Sequence, residues 1–452
     1  MDNEEKKFHV ALFPWLAYGH LMPFLEVATF LAQKGHRVSF ISTPKNLQKL
    51  PTDRPPSITL VELPLPRVHG LPDSAESTAE LPNNKVPYLK KAYDMLEPAV
   101  DEFLQRSGVD WIIQDFASHW LPQVASRLGV NSAFFSVYSA TSLAFLGPPS
   151  VLIDGPRQRP EDFTVVPEWI DYPSKVRFRL HEIVTHQDCM DTGVSDFQRF
   201  GKSIRGSKFV AVRSCGEFEA DPLRLLEKLY GKPVVPMGLL PPRHKLSGGD
   251  ERWVELKRWL EDKKEKSVFY VGLGTEVNIS PEMIGELAGG IEKSGLPFVW
   301  VVGQRPGPEN IPPGFESRVA GRGYLWMGWA PQAEILAHTA IGGILTHCGW
   351  SSAIESLGQG LPLILFSGAN SDQGLMGRLF EERGVGFEVP RDEADGSFTS
   401  DSVAQTIRQV MLEPEGEQVR ANAWATREIF GNVELQLEYL GEFARALQKG
   451  GS

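Results

Sequence analysis

Residues 342–356 read GGILTHCGWSSAIES, an apolar run that breaks on a polar turn and restarts as a helix. Ile344, Leu345 and Thr346 suit a buried strand, Gly349 permits close backbone approach, and from about Ser351 the residues favour a helix. A strand that delivers the chain straight into a helix N-terminus is the repeating unit of a parallel, doubly wound sheet. Ligands of such sheets bind outside the carboxyl ends of the strands. The free N–H groups and positive dipole end of the helix favour an anion, phosphate above all. His347, Ser351 and Ser352 can add hydrogen bonds. Taken alone, the fragment fits an ordinary serine-capped helix with a packed tryptophan equally well.

The same alternation runs outward on both sides. Upstream, HVALFPW, a helix over about residues 20–34, RVSFIST, SITLVELPL, DWIIQD and SAFFSV alternate strand and helix. Residues 146–205 lose the pattern to Pro, Asp and aromatic residues and read as irregular helices and loops over a cleft. Residues 241–266 are rich in Pro and Gly, then highly charged, as a linker ending in a solvated helix would be. SVFYVGLG, PFVWVVG, GYLWMGW, IGGILTHC and LPLILFS restart the strands, with helices expected near Pro281, Pro331, Ser351, Gln373, Ser400 and Val433. The expected architecture is α/β with two Rossmann-like units. An N-terminal unit spans 1–240 and a C-terminal unit 267–430, and a final helix over 431–452 packs back on the first unit.

Composition narrows the function. With 57 acidic against 46 basic side chains the 452-residue chain carries a formal charge of −11, which disfavours nucleic acid or an anionic membrane as partner. Cys189, Cys215 and Cys348 are too few and scattered for a disulfide framework or a cysteine-rich zinc site. Pro14 and Gly19 interrupt the first apolar run before it forms a signal segment, and no stretch is apolar enough to span a membrane. A cytoplasmic enzyme of small molecules is expected. The sequon at Asn278 then has no consequence, and the terminal KGGS looks like an appendage.

Residues 329–373, WAPQAEILAHTAIGGILTHCGWSSAIESLGQGLPLILFSGANSDQ, closely resemble the signature box of plant UDP-dependent glycosyltransferases. The W-A-P-Q opening, central H-C-G-W, following E-S and closing D-Q carry the resemblance. Residues 14–43, PWLAYGHLMPFLEVATFLAQKGHRVSFIST, extend it to essentially the whole chain. It implies the two-domain GT-B fold, with roles for named residues. Trp329 would stack on uracil, beside Ala330; Gln332 would approach the ribose and Glu355 accept its hydroxyls. His347, Ser351 and Ser352, with Thr275, would hold the diphosphate, Trp350 would shape the sugar site, and Asp372 and Gln373 would bind sugar hydroxyls. Gln373 suits UDP-glucose. The chain departs from the family pattern at Ser351, where asparagine is usual, and in one extra residue between Pro362 and Asp372.

The first unit supplies a base. His20 follows a strand and a glycine at a helix start, where the dipole disfavours imidazolium. A lone histidine there is more often a cap, but the resemblance pairs it with a carboxylate at the end of DWIIQD, Asp115, which would orient the ring. His20 would deprotonate an acceptor hydroxyl that displaces UDP with inversion, the diphosphate charge being met by the helix N-terminus. Neither a metal nor a cofactor is called for, and DEADG at 392–396 reads as a solvated turn. Phe116, His119, Trp120, Tyr138 and Glu276 are the candidate acceptor contacts. Residues 63–94 and 272–276 resemble the branch of the family that adds sugar to glycosides. A terpenoid or flavonoid glycoside, joined through a β-1,2 sugar–sugar bond, is therefore the expected acceptor, with the free aglycone as alternative. The protein is expected to be monomeric.

Two rivals fare worse. A nicotinamide oxidoreductase needs a full glycine fingerprint, and VGLGTEV supplies only Gly272 and Gly274. A UDP-sugar-binding protein without catalysis would keep the box but has no use for His20 and Asp115.

Overall fold

The computed structural model describes residues 7–155, 157, 159–187, 193–242, 251–274, 279–303, 307–368 and 371–450. Strands β1 (His9–Phe13), β2 (Arg37–Ser42), β3 (Ile58–Glu62), β4 (Trp111–Gln114), β5 (Asn131–Ser136), β6 (Phe209–Val212) and β7 (Val234–Pro236) form one sheet in the order β3-β2-β1-β4-β5-β6-β7. Strands β8 (Val268–Gly272), β9 (Phe298–Val302), β10 (Gly323–Met327), β11 (Ile341–Thr346), β12 (Leu363–Leu365) and β13 (Gly386–Glu388) form the other, ordered β10-β9-β8-β11-β12-β13. Every pairing is parallel. The run HVALF of β1 is buried throughout, as a parallel strand covered on both faces requires. With helices on the faces, this is the α/β GT-B architecture.

Each sheet reverses its winding once, between β1 and β4 in the first and between β8 and β11 in the second. The register aligns Phe13 with Gln114 and Thr346 with Gly272, so the loops leaving these strands emerge side by side. Helix α1 (Tyr18–Gln33) starts from the loop after β1; α2 (Ala140–Leu146), α3 (Leu180–Gln187), α4 (Asp196–Gly206), α5 (Gly216–Tyr230) and α6 (Gln332–Leu336) lie between; α7 (Trp350–Gly358) starts from the loop after β11, and α8 (Gln373–Glu382) and α9 (Val433–Gly450) follow it.

The structure is more regular than the sequence pattern in several places. Strands β6, β7 and β13 are only four, three and three residues long, too short to show a period. Within 146–205, where irregular helices and loops were expected, the structure forms the regular helices α3 and α4. The start of α4 is a capping box in which Ser195 Oγ accepts from the Gln198 N–H and Gln198 Oε1 accepts from the Ser195 N–H.

The halves are tied together by buried polar contacts. Arg378 of α8 donates to Glu182 of α3 at 2.6 Å, and Arg179 makes a two-pronged contact to Glu388 at 3.0 and 2.8 Å. Helix α9 returns to the first sheet, with Leu440, Phe443 and Leu447 fully buried in one core with Phe8, Val10 and Phe209. Their spacing is that of one helical face. Among the described residues no helix is long and apolar enough to cross a membrane. Cys215 and Cys348 are buried and unpaired, while Cys189 and Asn278 lie outside the described residues.

Removing the Phe443 ring should open a cavity at the junction of α9 with the first sheet. Phe443→Ala is expected to destabilise the fold by about 3–5 kcal/mol. Thermal unfolding checks this, and an unchanged melting temperature would contradict the packing described.

Candidate active site

The side-by-side loops of β1 and β4 bring Asp115 against the start of α1. Asp115 is 1% exposed and its carboxylate accepts three hydrogen bonds: from the Trp15 N–H at 3.0 Å, from the Phe116 N–H at 2.7 Å, and from His20 Nδ1 at 2.6 Å. Because an ionised carboxylate only accepts, Nδ1 carries the ring proton and Nε2 keeps its lone pair. The imidazole retains 11% side-chain exposure and lies beside the rings of Phe116, at 5.8 Å, and Tyr138, at 5.7 Å. Phe116 and Tyr138 in turn contact Phe200 of α4 at 4.8 and 5.4 Å.

The other two expected acceptor residues of this unit are engaged elsewhere. His119 Nδ1 sits 3.2 Å from Arg199, itself ion-paired with Asp94 at 2.6 Å, and burial lowers the histidine's pKa. Trp120 is 7% exposed and packs against Phe13. Thr275 and Glu276 lie outside the described residues.

The second switch point is built on the turn between β11 and α7. Cys348 takes the left-handed conformation at φ 67°, unusual for a side chain with a Cβ, to swing the chain from strand into helix. His347 packs between two glycines: a Cβ on Gly274 would lie 2.8 Å from its Nε2 and one on Gly349 only 2.4 Å. Burial holds its pKa down to about 4, so the ring is neutral. Its Nδ1 is buried without a partner among the described residues. Ser351 and Ser352, both half-buried, stand in the first turn of α7, and Glu355 follows one turn later.

Glu355 accepts from Gln332 Nε2 at 3.1 Å, and Gln332 Oε1 accepts from Tyr270 at 3.1 Å. Burial raises the Glu355 pKa to about 7, against the opposing pull of Gln332 and Arg213. Ala330, 8% exposed, anchors the turn into α6 by accepting the Gln332 N–H at 2.9 Å. Trp329 is 52% exposed, and its ring meets Tyr18 of the first unit edge-on at 4.9 Å. An indole this open offers a face to a ligand.

Trp350 differs from expectation. Its ring is 5% exposed among Phe218, Phe380 and Phe430, and its Nε1–H is spent on the Arg213 carbonyl at 2.8 Å. The indole thus fills the seam between the halves instead of lining a sugar site, leaving only its backbone near the helix N-terminus.

Asp372 closes the arrangement. It precedes α8, whose first residue, Gln373, is buried, and the loop reaches it through Ser371 in the left-handed region at φ 50°. Its carboxylate accepts from Ser142 of α2 at 2.7 Å, and Ser371 donates to the Tyr138 hydroxyl at 3.3 Å. Burial raises the Asp372 pKa to about 6, partly offset by the hydrogen bond from Ser142. The end of the second switch point therefore meets the base of the first. Sequence reasoning missed Ser142, Tyr18, Phe200 and Arg213 because their places in the site come from contacts between distant segments. Asp392 Oδ1 accepts the Ala394 and Asp395 N–H groups, the ordinary bonds of a polar turn.

Comparison with known proteins agrees with this geometry. A family model described as UDP-glucoronosyl and UDP-glucosyl transferase matches residues 247–416. UDP-glycosyltransferase 91C1 of Arabidopsis thaliana is 50% identical, over 100% of this chain and 99% of its own. Cyanidin 3-O-galactoside 2''-O-xylosyltransferase of Actinidia chinensis is 33% identical over 98% of both chains. The crystal structure of UGT73P12 from Glycyrrhiza uralensis, complexed with glycyrrhetinic acid 3-O-monoglucuronide, has the same fold, with a TM-score of 0.80 at 23% identity over 98% of this chain and 97% of that one. Two facing switch points and full-length identity of this degree lead to one conclusion: the chain belongs to the plant UDP-glycosyltransferases, enzymes that transfer sugar from a UDP-sugar donor.

Proposed function

We propose that the protein moves glucose from UDP-glucose to a hydroxyl on the sugar of a small hydrophobic glycoside, with His20 as general base. The hydrogen bond of 2.6 Å from His20 to Asp115, across from Asp372, is the observation that carries this proposal. With Nδ1 held, Nε2 takes the proton of the acceptor hydroxyl, and Asp115 stabilises the imidazolium that forms. The acceptor oxygen attacks the anomeric carbon as UDP departs on the opposite side, so an α-linked donor gives a β-glycoside.

The remaining roles are those the family resemblance implies for the residues of the second unit. Trp329 stacks on uracil, and Gln332 with Glu355 receives the ribose. The N-terminus of α7 with Ser351, Ser352 and Thr275 meets the diphosphate, whose charge grows as it leaves. Asp372 and Gln373 take the sugar hydroxyls.

For the acceptor, His20 lies beside the rings of Phe116 and Tyr138, both of which contact Phe200, and an aromatic wall of this kind suits an aglycone of terpenoid or flavonoid type. The hydroxyls of Tyr138 and Ser142 near His20 suit the polar sugar end, and the 33% identical relative is named for transfer to the 2'' position of a galactoside. We therefore extend the proposal to a β-1,2 bond.

Three measurements test these roles. His20→Ala should lower kcat by about 10²–10⁴-fold while UDP still binds, and Asp115→Asn should slow turnover with the fold intact; near-normal kcat in either variant would remove the role. Glu355 has a pKa of about 7, above the usual carboxyl range, so the empty folded protein retains a proton there that the unfolded chain has lost. Stability therefore falls as pH rises toward that value, and ribose hydroxyls, which favour the carboxylate, bind with proton release. UDP-glucose affinity measured by calorimetry should rise with pH through about 7 and then level, and Glu355→Gln should abolish the slope. A slope surviving in that variant would place the titration elsewhere. Finally, kcat/KM should favour a monoglucoside over its free aglycone, and a consistent preference for aglycones would overturn the glycoside claim alone.

A further inference from the structure

Arg213 follows β6, outside the family's signature box, and yet it holds the start of α7. Its peptide carbonyl accepts from Trp350 Nε1 at 2.8 Å. Its guanidinium, 2% exposed, donates through Nε to the Leu239 carbonyl at 2.7 Å, through Nη2 to the Leu240 carbonyl at 3.1 Å and through Nη1 to Ser351 Oγ at 2.7 Å. Thus one residue of the first unit grips two consecutive residues at the N-terminus of the helix that faces the donor.

We propose that Arg213 is a positioning residue for the donor site, which orients and polarises the Ser351 hydroxyl so that it donates to the diphosphate. This rests on the placing of the diphosphate at the N-terminus of α7. A hydroxyl that accepts from a guanidinium keeps its own hydrogen free to donate, and a charge-assisted bond into its oxygen makes that hydrogen a stronger donor. Arg213 thereby brings positive character to the leaving group through Ser351. Glu355 lies four residues beyond Ser351 on the same helix, and its charge counters the loss of the Arg213 proton that burial favours.

The arrangement also accounts for serine where the family usually has asparagine. With Nη1 only 2.7 Å from Ser351 Oγ, the longer amide side chain would have to occupy the space of the guanidinium. Arg213 and Ser351 form a matched pair, in which a short hydroxyl and a reaching cation replace a single amide.

Calorimetric UDP affinity, KM for UDP-glucose, kcat and melting temperature of Arg213→Met, Ser351→Ala, Ser351→Thr, Ser351→Asn and the Arg213→Met/Ser351→Ala double variant test the pair. Arg213→Met and Ser351→Ala should each weaken UDP roughly tenfold, the scale of one charge-assisted hydrogen bond, and lower kcat as well. The double variant should be no worse than the poorer single one, and Ser351→Thr, which keeps the hydroxyl, should recover most of the affinity. Ser351→Asn should be at least as damaging as Ser351→Ala. Additive losses, or UDP affinity unchanged while only the melting temperature falls, would overturn the proposal. Should Arg213→Met not fold, the comparison of Ser351→Ala with Ser351→Thr decides, since equal UDP affinity would dismiss the hydroxyl. Glu355→Ala separates the levels: if it too leaves UDP affinity unchanged, the donor site itself is misplaced, whereas its loss alone would leave that site standing without Arg213.

Discussion

Parallel strands deliver all their onward loops to one edge of a sheet, and where the winding reverses two neighbouring loops diverge and leave a crevice. That constraint fixes the site. The β1–β4 crevice holds the His20–Asp115 hydrogen bond, and the β8–β11 crevice holds the neutral His347 and the open N-terminus of α7. Chemistry needs both crevices at once, because a base without a leaving-group site, or the reverse, does nothing to an acceptor. The contacts that keep them facing, from Ser142 to Asp372 and from Arg213 to Ser351, are therefore as much part of the site as the residues in the crevices.

The pairings across that seam consist largely of polar groups removed from water, an arrangement that is costly unless every member is satisfied. Arg378 reaches Glu182 and Arg179 reaches Glu388, so charges buried in the seam are matched by partners from the other half. Asp372 and Glu355 are different. Burial raises both carboxyl pKa values, to about 6 and about 7, and the neighbours present only partly oppose this. Carboxylates held in such a state gain from hydroxyl donors, and sugars are hydroxyl donors. On the proposed reading, the hydroxyls of the ribose and the sugar would stabilise these two carboxylates.

Much of this was legible in the sequence, and the gaps have physical causes. The long apolar strands and the box of residues 329–373 declared themselves because parallel strands buried on both faces are continuous hydrophobic runs and because W-A-P-Q, H-C-G-W and D-Q are spaced by the loops they occupy. His20 and Asp115 could be paired through the family resemblance although 95 residues separate them. Strands as short as Gly386–Glu388 carry no period. The surroundings of His119 and Trp120, expected as acceptor contacts, could not be read because Arg199 and Phe13 come to them from distant segments. The Arg213–Ser351 hydrogen bond was invisible because 138 residues separate the two.

The proposed reaction is a single displacement across the two crevices, with the base on one side and the departing diphosphate on the other. Proton NMR of the first-formed product, taken before any mutarotation or secondary transfer, reads the anomeric configuration of the transferred sugar directly. A β-configured product from UDP-glucose is predicted. A retained α-configuration would contradict it, because retention requires a step that one base and one facing donor site do not provide.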